Sequence, residues 1–356
     1  MRKSFLFGIL LLITYEILKV YFIMPMPGSQ KMNSLATAYF LHNWRWGFRL
    51  LYLALMLRGA RISFKNRPWL SVLLLLPCIG IVYLFNFKLS ADSMFYQPTS
   101  LRYSNSADNK VDKERLVLGI SINGQSKAWP LQFIAYHHQI CDSVGNTPVM
   151  VTYCSVCRTG RVFSPMVEGK PESFRLVGMD HFNAMFEDHT TGSWWRQVNG
   201  ECVAGSRKGQ KLQEFLCSQV ALKDWLNMHP ESLVMQPDPK FSKDYNDLKG
   251  FDEGTIKSSL EGTDTGSWKE KSWVLGTVFE NQAICWDWQK LKAKGSSSID
   301  VNGYRITASI EAGGTRFSVK RSCTKTEMDT CRISLPAYQE FWHSWRTFHP
   351  KTLKGN

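Results

Sequence analysis

Two cysteines, two arginines and a histidine pair stand close together in this chain. The run Pro148-Val-Met-Val-Thr-Tyr-Cys154-Ser-Val-Cys157-Arg158-Thr-Gly-Arg161-Val-Phe163 carries an apolar, β-branched stretch out to a C-x-x-C pair, and His137-His138 precede it. A C-x-x-C can be a zinc half-site, a haem attachment or a redox dithiol. Structural zinc normally takes a second pair of ligands, and no second C-x-x-C exists. A c-type haem needs histidine directly after the second cysteine, where this chain has Arg158. Two chemistries remain. In a redox dithiol, Cys154 would be the nucleophile, Cys157 would resolve, and His138 would serve as base. Arg158 and Arg161 are then expected to stabilise thiolate and lower the cysteine pKa. In a non-catalytic metal site, Cys154 and Cys157 would join His137 or His138 around copper or zinc, ions that accept mixed sulfur and nitrogen ligands. A third possibility is that the cysteines only staple the sheet.

A second polar cluster, from Gly178 to Gln197, interleaves Asp180, His181, Glu187, Asp188 and His189 with aromatics. It reads either as a pocket wall or as a capped turn around Asp188-x-Thr-Thr-Gly-Ser. Met179 and Met185 fit core packing better than soft metal ligation.

The elements that must position these residues are short. Leu116 to Pro130 is a strand, an Asn123-Gly124 turn and a second strand, the strongest short hairpin signal. Leu131–His138 follows as a short helix or turn, and Val149–Tyr153 as a strand. Arg158–Phe163 reads as a turn into another strand, which argues against a thioredoxin fold. Further strands are expected at Arg161–Ser164, Ser173–Val177 and Gly200–Gly205, with helices at Leu222–Met228 and Ala337–Phe348.

The second half resembles the first. Val117-Leu-Gly, Gln125 and Trp129 recur as Val274-Leu-Gly, Gln282 and Trp286, and Trp225, His229-Pro230 recur as Trp345, His349-Pro350. The displacement is 157 for the first set and 120 for the second. Carried forward, the first displacement sets His137-His138 on Lys294-Gly295 and the cysteines on Glu311 and Gly314, so the second copy lacks the chemistry. The expected fold is α+β, mainly antiparallel β hairpins with short helices and an internal duplication. The expected divisions are a membrane anchor at 1–90, a linker at 91–114, the first copy at 115–235, a polar linker at 236–271, and the shorter second copy at 272–356.

The net charge of +13 is unevenly placed: residues 1–90 hold 11 Lys/Arg against the single acid Glu16. A nucleic-acid surface would put that charge on the folded domain, so nucleic acid is excluded as the expected partner. The bilayer takes its place, together with an unidentified redox partner or small-molecule substrate. Phe5–Met24 and Leu70–Phe87 are long enough to span a bilayer, and Leu35–Leu57, interrupted by His42, Arg45 and Arg49, is either a third span or an interfacial helix. Arg58, Arg61, Lys65 and Arg67 place the loop before the last span in the cytoplasm, and residues 91–356 beyond a bacterial inner membrane, in the periplasm. In that compartment Cys323 and Cys331 are spaced to staple a loop.

The run His138-x-Ile-x-Asp142-x-Val-Gly145-x-x-Pro148-Val-x-Val-Thr-Tyr-Cys154-x-x-Cys157, then Thr191-Gly192-Ser193-x-Trp195-x-Gln197-x-x-Gly200 and Trp225-x-x-x-His229-Pro230, resembles the uncharacterised family catalogued as domain of unknown function 3179. The resemblance covers about residues 114–240. Some members are described as selenoproteins, which implies a cysteine position where selenium can replace sulfur and so favours a redox centre.

Overall fold

The computed structural model describes residues 3–248, 250, 260, 262–311, 315–324 and 332–355. These fall into two compact units. One comprises residues 1–96, 174–196 and 202–210, and the other residues 97–173, 197–201 and 211–356.

The first unit is built on four helices: α1 (Lys3–Tyr21), α2 (Leu35–Asn43), α3 (Arg45–Asn66) and α4 (Pro68–Tyr83), the last continued by a wider turn at Leu84–Lys88. Two helical stretches, Lys3–Tyr21 and Pro68–Lys88, are long and apolar enough to cross a membrane. The apolar run Leu35–Leu57 is not one segment, because the chain breaks at Trp44 between α2 and α3. α3 runs antiparallel along α1, and glycines allow the close approach. A Cβ on Gly8 would lie 2.6 Å from Met56, and one on Gly59 2.6 Å from the Phe5 nitrogen. Glu16 is wholly buried there and accepts from Arg49 at 2.6 Å and from Asn86 at 2.9 Å, with Lys19 3.0 Å away. The charges that interrupt the apolar run thus pair with one another.

The same unit contains a four-stranded antiparallel sheet of Phe174–Asp180, Asn183–Asp188, Trp194–Arg196 and Cys202–Ala204. Its Val177, Met185 and Trp194 pack on Val20, Ile23, Met24 and Ala38. The cluster from Gly178 to Gln197 is therefore mostly sheet, and its tip is the capped turn. Thr191 donates to Asp188 from its backbone at 2.6 Å and from its hydroxyl at 2.8 Å, and Trp195 Nε1 donates to the same carboxylate at 2.9 Å.

The second unit repeats one motif. In the first copy, Leu116–Ile122 and Gln125–Pro130 form the hairpin, with Asn123 and Gly124 both at positive φ. Helix Leu131–His137 leads into Gln139–Val144, Thr147–Cys154 and Thr159–Phe163, then Ser218–Ala221, helix Leu222–Met228 and Leu233–Gln236. In the second copy the series is Trp273–Phe279, Gln282–Asp287, helix Trp288–Lys294, Ser296–Val301, Tyr304–Ile310, Phe317–Ser322, Tyr338–Phe341, helix Trp342–Phe348 and Leu353–Gly355. In both, the returning strand lies antiparallel beside the first hairpin strand, and the last strand pairs parallel with the second.

Local detail repeats as well. Gly119 and Gly276 lie flat under Trp225 and Trp345, which leave no room for a Cβ. Trp225 Nε1 donates to Ser232 Oγ at 2.7 Å, and Trp345 Nε1 to Thr352 Oγ1 at 2.9 Å. The internal duplication read from the sequence is thus present as geometry. The start of the helix expected at Ala337–Phe348 differs, because Tyr338–Phe341 is drawn into the sheet by pairing with Trp273–Gly276.

Both expected linkers are partly structured. Arg102–Ser104 adds an edge strand to the first sheet, and Tyr103 bonds the Asp142 carboxylate. Within 236–271, helix Ser242–Asp247 delivers Tyr245 into the first core, where Phe241 and Tyr245 are buried. Sparse apolar residues hid both segments, since one or two anchors are enough to dock them.

Candidate functional site

Strands Thr147–Cys154 and Thr159–Phe163 pair so that Cys154 faces Thr159, and Ser155–Arg158 form the turn between them. Cys154 closes one strand and Cys157 sits in the turn. Arg158 takes a left-handed φ of 55° to return the chain. Both are buried thiols outside any disulfide, Cys154 at 1% exposure and Cys157 at 0%.

The second copy holds this turn from behind. Phe341 N–H donates to Cys157 O at 2.8 Å, and His343 Nε2 donates to Val156 O at 3.1 Å. Burial pushes the Cys157 thiol well above its ordinary pKa. Contact with the Cys154 thiol and the charge of Glu340 act in the same direction, while the Ser344 hydroxyl beside the sulfur partly opposes them. That hydroxyl lies by Cys157 and Glu340 without a hydrogen bond of full geometry.

This overturns the expected role of the arginines. Arg158 stacks over the Trp273 ring at 4.1 Å, and Arg161 over Tyr338 at 3.6 Å. Arg161 also pairs with Glu340 at 3.3 Å and Glu214 at 3.5 Å, and donates to Val198 O at 3.0 Å. Its charge is committed to carboxylates, and burial holds Cys157 as thiol rather than thiolate. Burial raises the Glu340 carboxyl despite Arg161.

The histidines separate. His137 ends helix Leu131–His137, and its Nε2 meets the Tyr245 hydroxyl at 2.6 Å, with its ring edge-on to Tyr136 and Phe241. His138 is the left-handed cap of the same helix, with φ 61°. Its Nδ1 lies 3.1 Å from Tyr153 O, in the residue before Cys154. Donation to that carbonyl fixes the proton on Nδ1. Burial lowers the His138 pKa to about 4, so the ring is neutral at neutral pH. Among the described residues, no three His, Cys, Asp or Glu side chains gather as a metal ion requires. The grouping of His137, His138, Cys154 and Cys157 around copper or zinc is therefore not assembled.

Sequence reasoning missed Glu340, Phe341, His343 and Ser344, which back the dithiol from far along the chain. No spacing pattern announces them. The one hint is Gln339-Glu-Phe-Trp-His-Ser-Trp345, where a carboxylate and an imidazole stand among aromatics at the start of a helix. Cys323 is disulfide-bonded, and Cys331 lies outside the described residues, as does Gly314. Met185 is core, as expected.

A family model described as Protein of unknown function (DUF3179) matches residues 97–352. The match runs from before the edge strand Arg102–Ser104 through the second copy, so it takes in both copies and not the longer one alone. No curated protein and no solved structure was found to match the chain.

Proposed function

Because the chain belongs to the DUF3179 family of proteins of unknown function, we propose its activity from the site itself: a membrane-anchored thiol redox protein in which Cys154 and Cys157 interconvert between dithiol and disulfide. The observation that carries this reading is the direct contact of the two thiols at one hairpin turn. The substrate class is a disulfide. Cys154 thiolate attacks one substrate sulfur, forming a mixed disulfide and releasing the first substrate thiol. Cys157 then attacks the Cys154 sulfur, releases the second thiol and closes the Cys154–Cys157 disulfide. Two electrons pass to the substrate, and the two cysteine protons leave on its thiols. With both sulfurs buried, exchange requires the turn to open away from Phe341 and His343.

The anchor consists of α1, α3 and α4, with Lys3, Arg58, Arg61, Lys65 and Arg67 at one end, the end this reading assigns to the cytoplasm. The thiol-bearing unit would then lie in the periplasm, an oxidising compartment.

Burial of both sulfurs also favours a second reading, a dithiol or disulfide that only staples the turn. Differential alkylation with mass tags, before and after mild reduction of the full-length chain, separates the two. A reversible Cys154–Cys157 disulfide that forms with a small disulfide and is regenerated by thiol supports the redox reading. A pair never found oxidised, or one that never re-reduces, sinks it.

A further inference from the structure

The helical unit carries a half-open pocket of about 180 Å³ that no role described so far uses. It lies where α1 ends and where the Leu84–Lys88 turn closes the second apolar helix, at the opposite end from Arg58, Arg61 and Lys65. Four basic side chains line it: Lys19, Arg45, Arg49 and Arg175. Three carboxylates stand against them. Glu16 is occupied by Arg49, Lys19 and Asn86, Glu187 accepts from Arg175 at 2.6 Å and lies 2.9 Å from His42, and Asp92 is 3.0 Å from Arg175. Arg45 alone of the four has no carboxylate against it among the described residues; it donates to His42 O at 2.8 Å. The rest of the lining is mixed: Asn86, Ser90 and Asp92 stand beside apolar Val20, Phe85 and Leu89.

We infer that this cavity takes the phosphate of an anionic phospholipid, with Arg45 as its main charge partner and Val20 and Phe85 receiving the start of the acyl chains. Basic side chains beside apolar ones at the end of two candidate spans offer partners to both halves of a lipid. A free phosphate would use the basic side chains but has nothing to place against the apolar ones. The inference rests on the membrane reading of α1 and α4.

The test uses the full-length chain in neutral detergent, titrated with phosphatidylglycerol, phosphatidylcholine or inorganic phosphate and read by thermal stabilisation. Phosphatidylglycerol should stabilise the protein at lower concentration than phosphatidylcholine. Arg45→Gln should weaken phosphatidylglycerol binding about fivefold, the share of one basic group beside an anionic lipid. Arg61→Gln, the same charge change at the other end, should leave it unchanged. Equal effects of the two variants, or equal binding of the two lipids, overturn the proposal. So does displacement of phosphatidylglycerol by millimolar inorganic phosphate, which would mark a simple anion site. Alkaline carbonate extraction of membranes tests the membrane reading separately: release of the chain overturns that reading, while the lipid comparison reads the cavity itself.

Discussion

Gln219 Nε2 donates to Gln339 Oε1 at 3.1 Å, and these two residues occupy the same position in the two copies. Gln219 pairs across its sheet with Leu118, and Gln339 with Leu275, the equivalent leucine. Equivalent residues therefore meet across the join between the copies, and both amides are buried. A duplicated chain meets itself here, and the amide pair forms a polar link across the join.

Replacing one amide removes the hydrogen bond that the other makes across this buried join. Gln339→Leu should cost about 1–3 kcal/mol, the penalty of an unsatisfied buried polar group. Gln219→Leu/Gln339→Leu should cost less than the sum of the single changes, because no orphan remains. Urea unfolding of all four proteins gives the coupling directly. Strict additivity would show that the pair does not tie the copies together.

Arg161 is the buried cation between Glu340 and Glu214. Arg161→Met should destabilise by about 3–5 kcal/mol by leaving Glu340 charged or forcing it to take up a proton. Adding Glu340→Gln should recover a good part of that loss. If the double variant is no more stable than Arg161→Met, the ion pair is not what holds this corner.

The buried imidazoles make stability depend on pH. His138 is held down to about 4, His349 to about 4 and His343 to about 3, in each case mainly by burial. Above about pH 6.5 these rings are neutral in folded and unfolded chains alike. Between there and pH 4 the unfolded chain takes up protons that the folded state refuses. Stability should therefore be full above pH 6.5 and fall with acid through that window, by about 3 kcal/mol for His138. His138→Asn keeps a residue tolerant of the left-handed cap and removes the titration. Its unfolding free energy should fall less steeply between pH 7 and pH 5; an unchanged slope would place the proton uptake elsewhere.

Thiol access should depend on the clamp supplied by the second copy. In the native protein Cys154 and Cys157 should alkylate far more slowly than the exposed Cys141. Labelling of Cys157 should still be rising above pH 9, because burial keeps it a thiol there. Phe341→Ala, which loosens packing around the turn, should speed labelling of both by about tenfold through local opening. Rates that match Cys141 before any mutation would contradict the buried turn.

Much of the scaffold was legible locally. Asn123-Gly124 specified a hairpin because both positions need positive φ, and the second copy uses Glu280-Asn281 at φ 46° and 64° for the same turn. The 157-residue displacement carried through to backbone geometry: His138 and Gly295 are both left-handed helix caps, and their carbonyls accept from Tyr153 and Ile310. The edge strand at Tyr103 and the helix carrying Tyr245 were not legible, since each is held by few apolar contacts and its partners lie more than a hundred residues away or across a sheet.

By itself the sequence determined the C-x-x-C at the end of a strand, the repeated hairpins and helices, and two stretches apolar enough to cross a membrane. These are properties of short windows, where backbone preference and hydrophobic spacing act directly. The tertiary structure alone decided the electrostatic state of Cys157. The sequence neighbours Arg158 and Arg161 argued for thiolate, but both cations turn to aromatic rings and buried carboxylates. Burial against Phe341, Glu340 and Ser344 holds Cys157 as a thiol instead. The reason is desolvation: a charge is stabilised by the dielectric and the partners around it in space, and the second copy brings these to the turn.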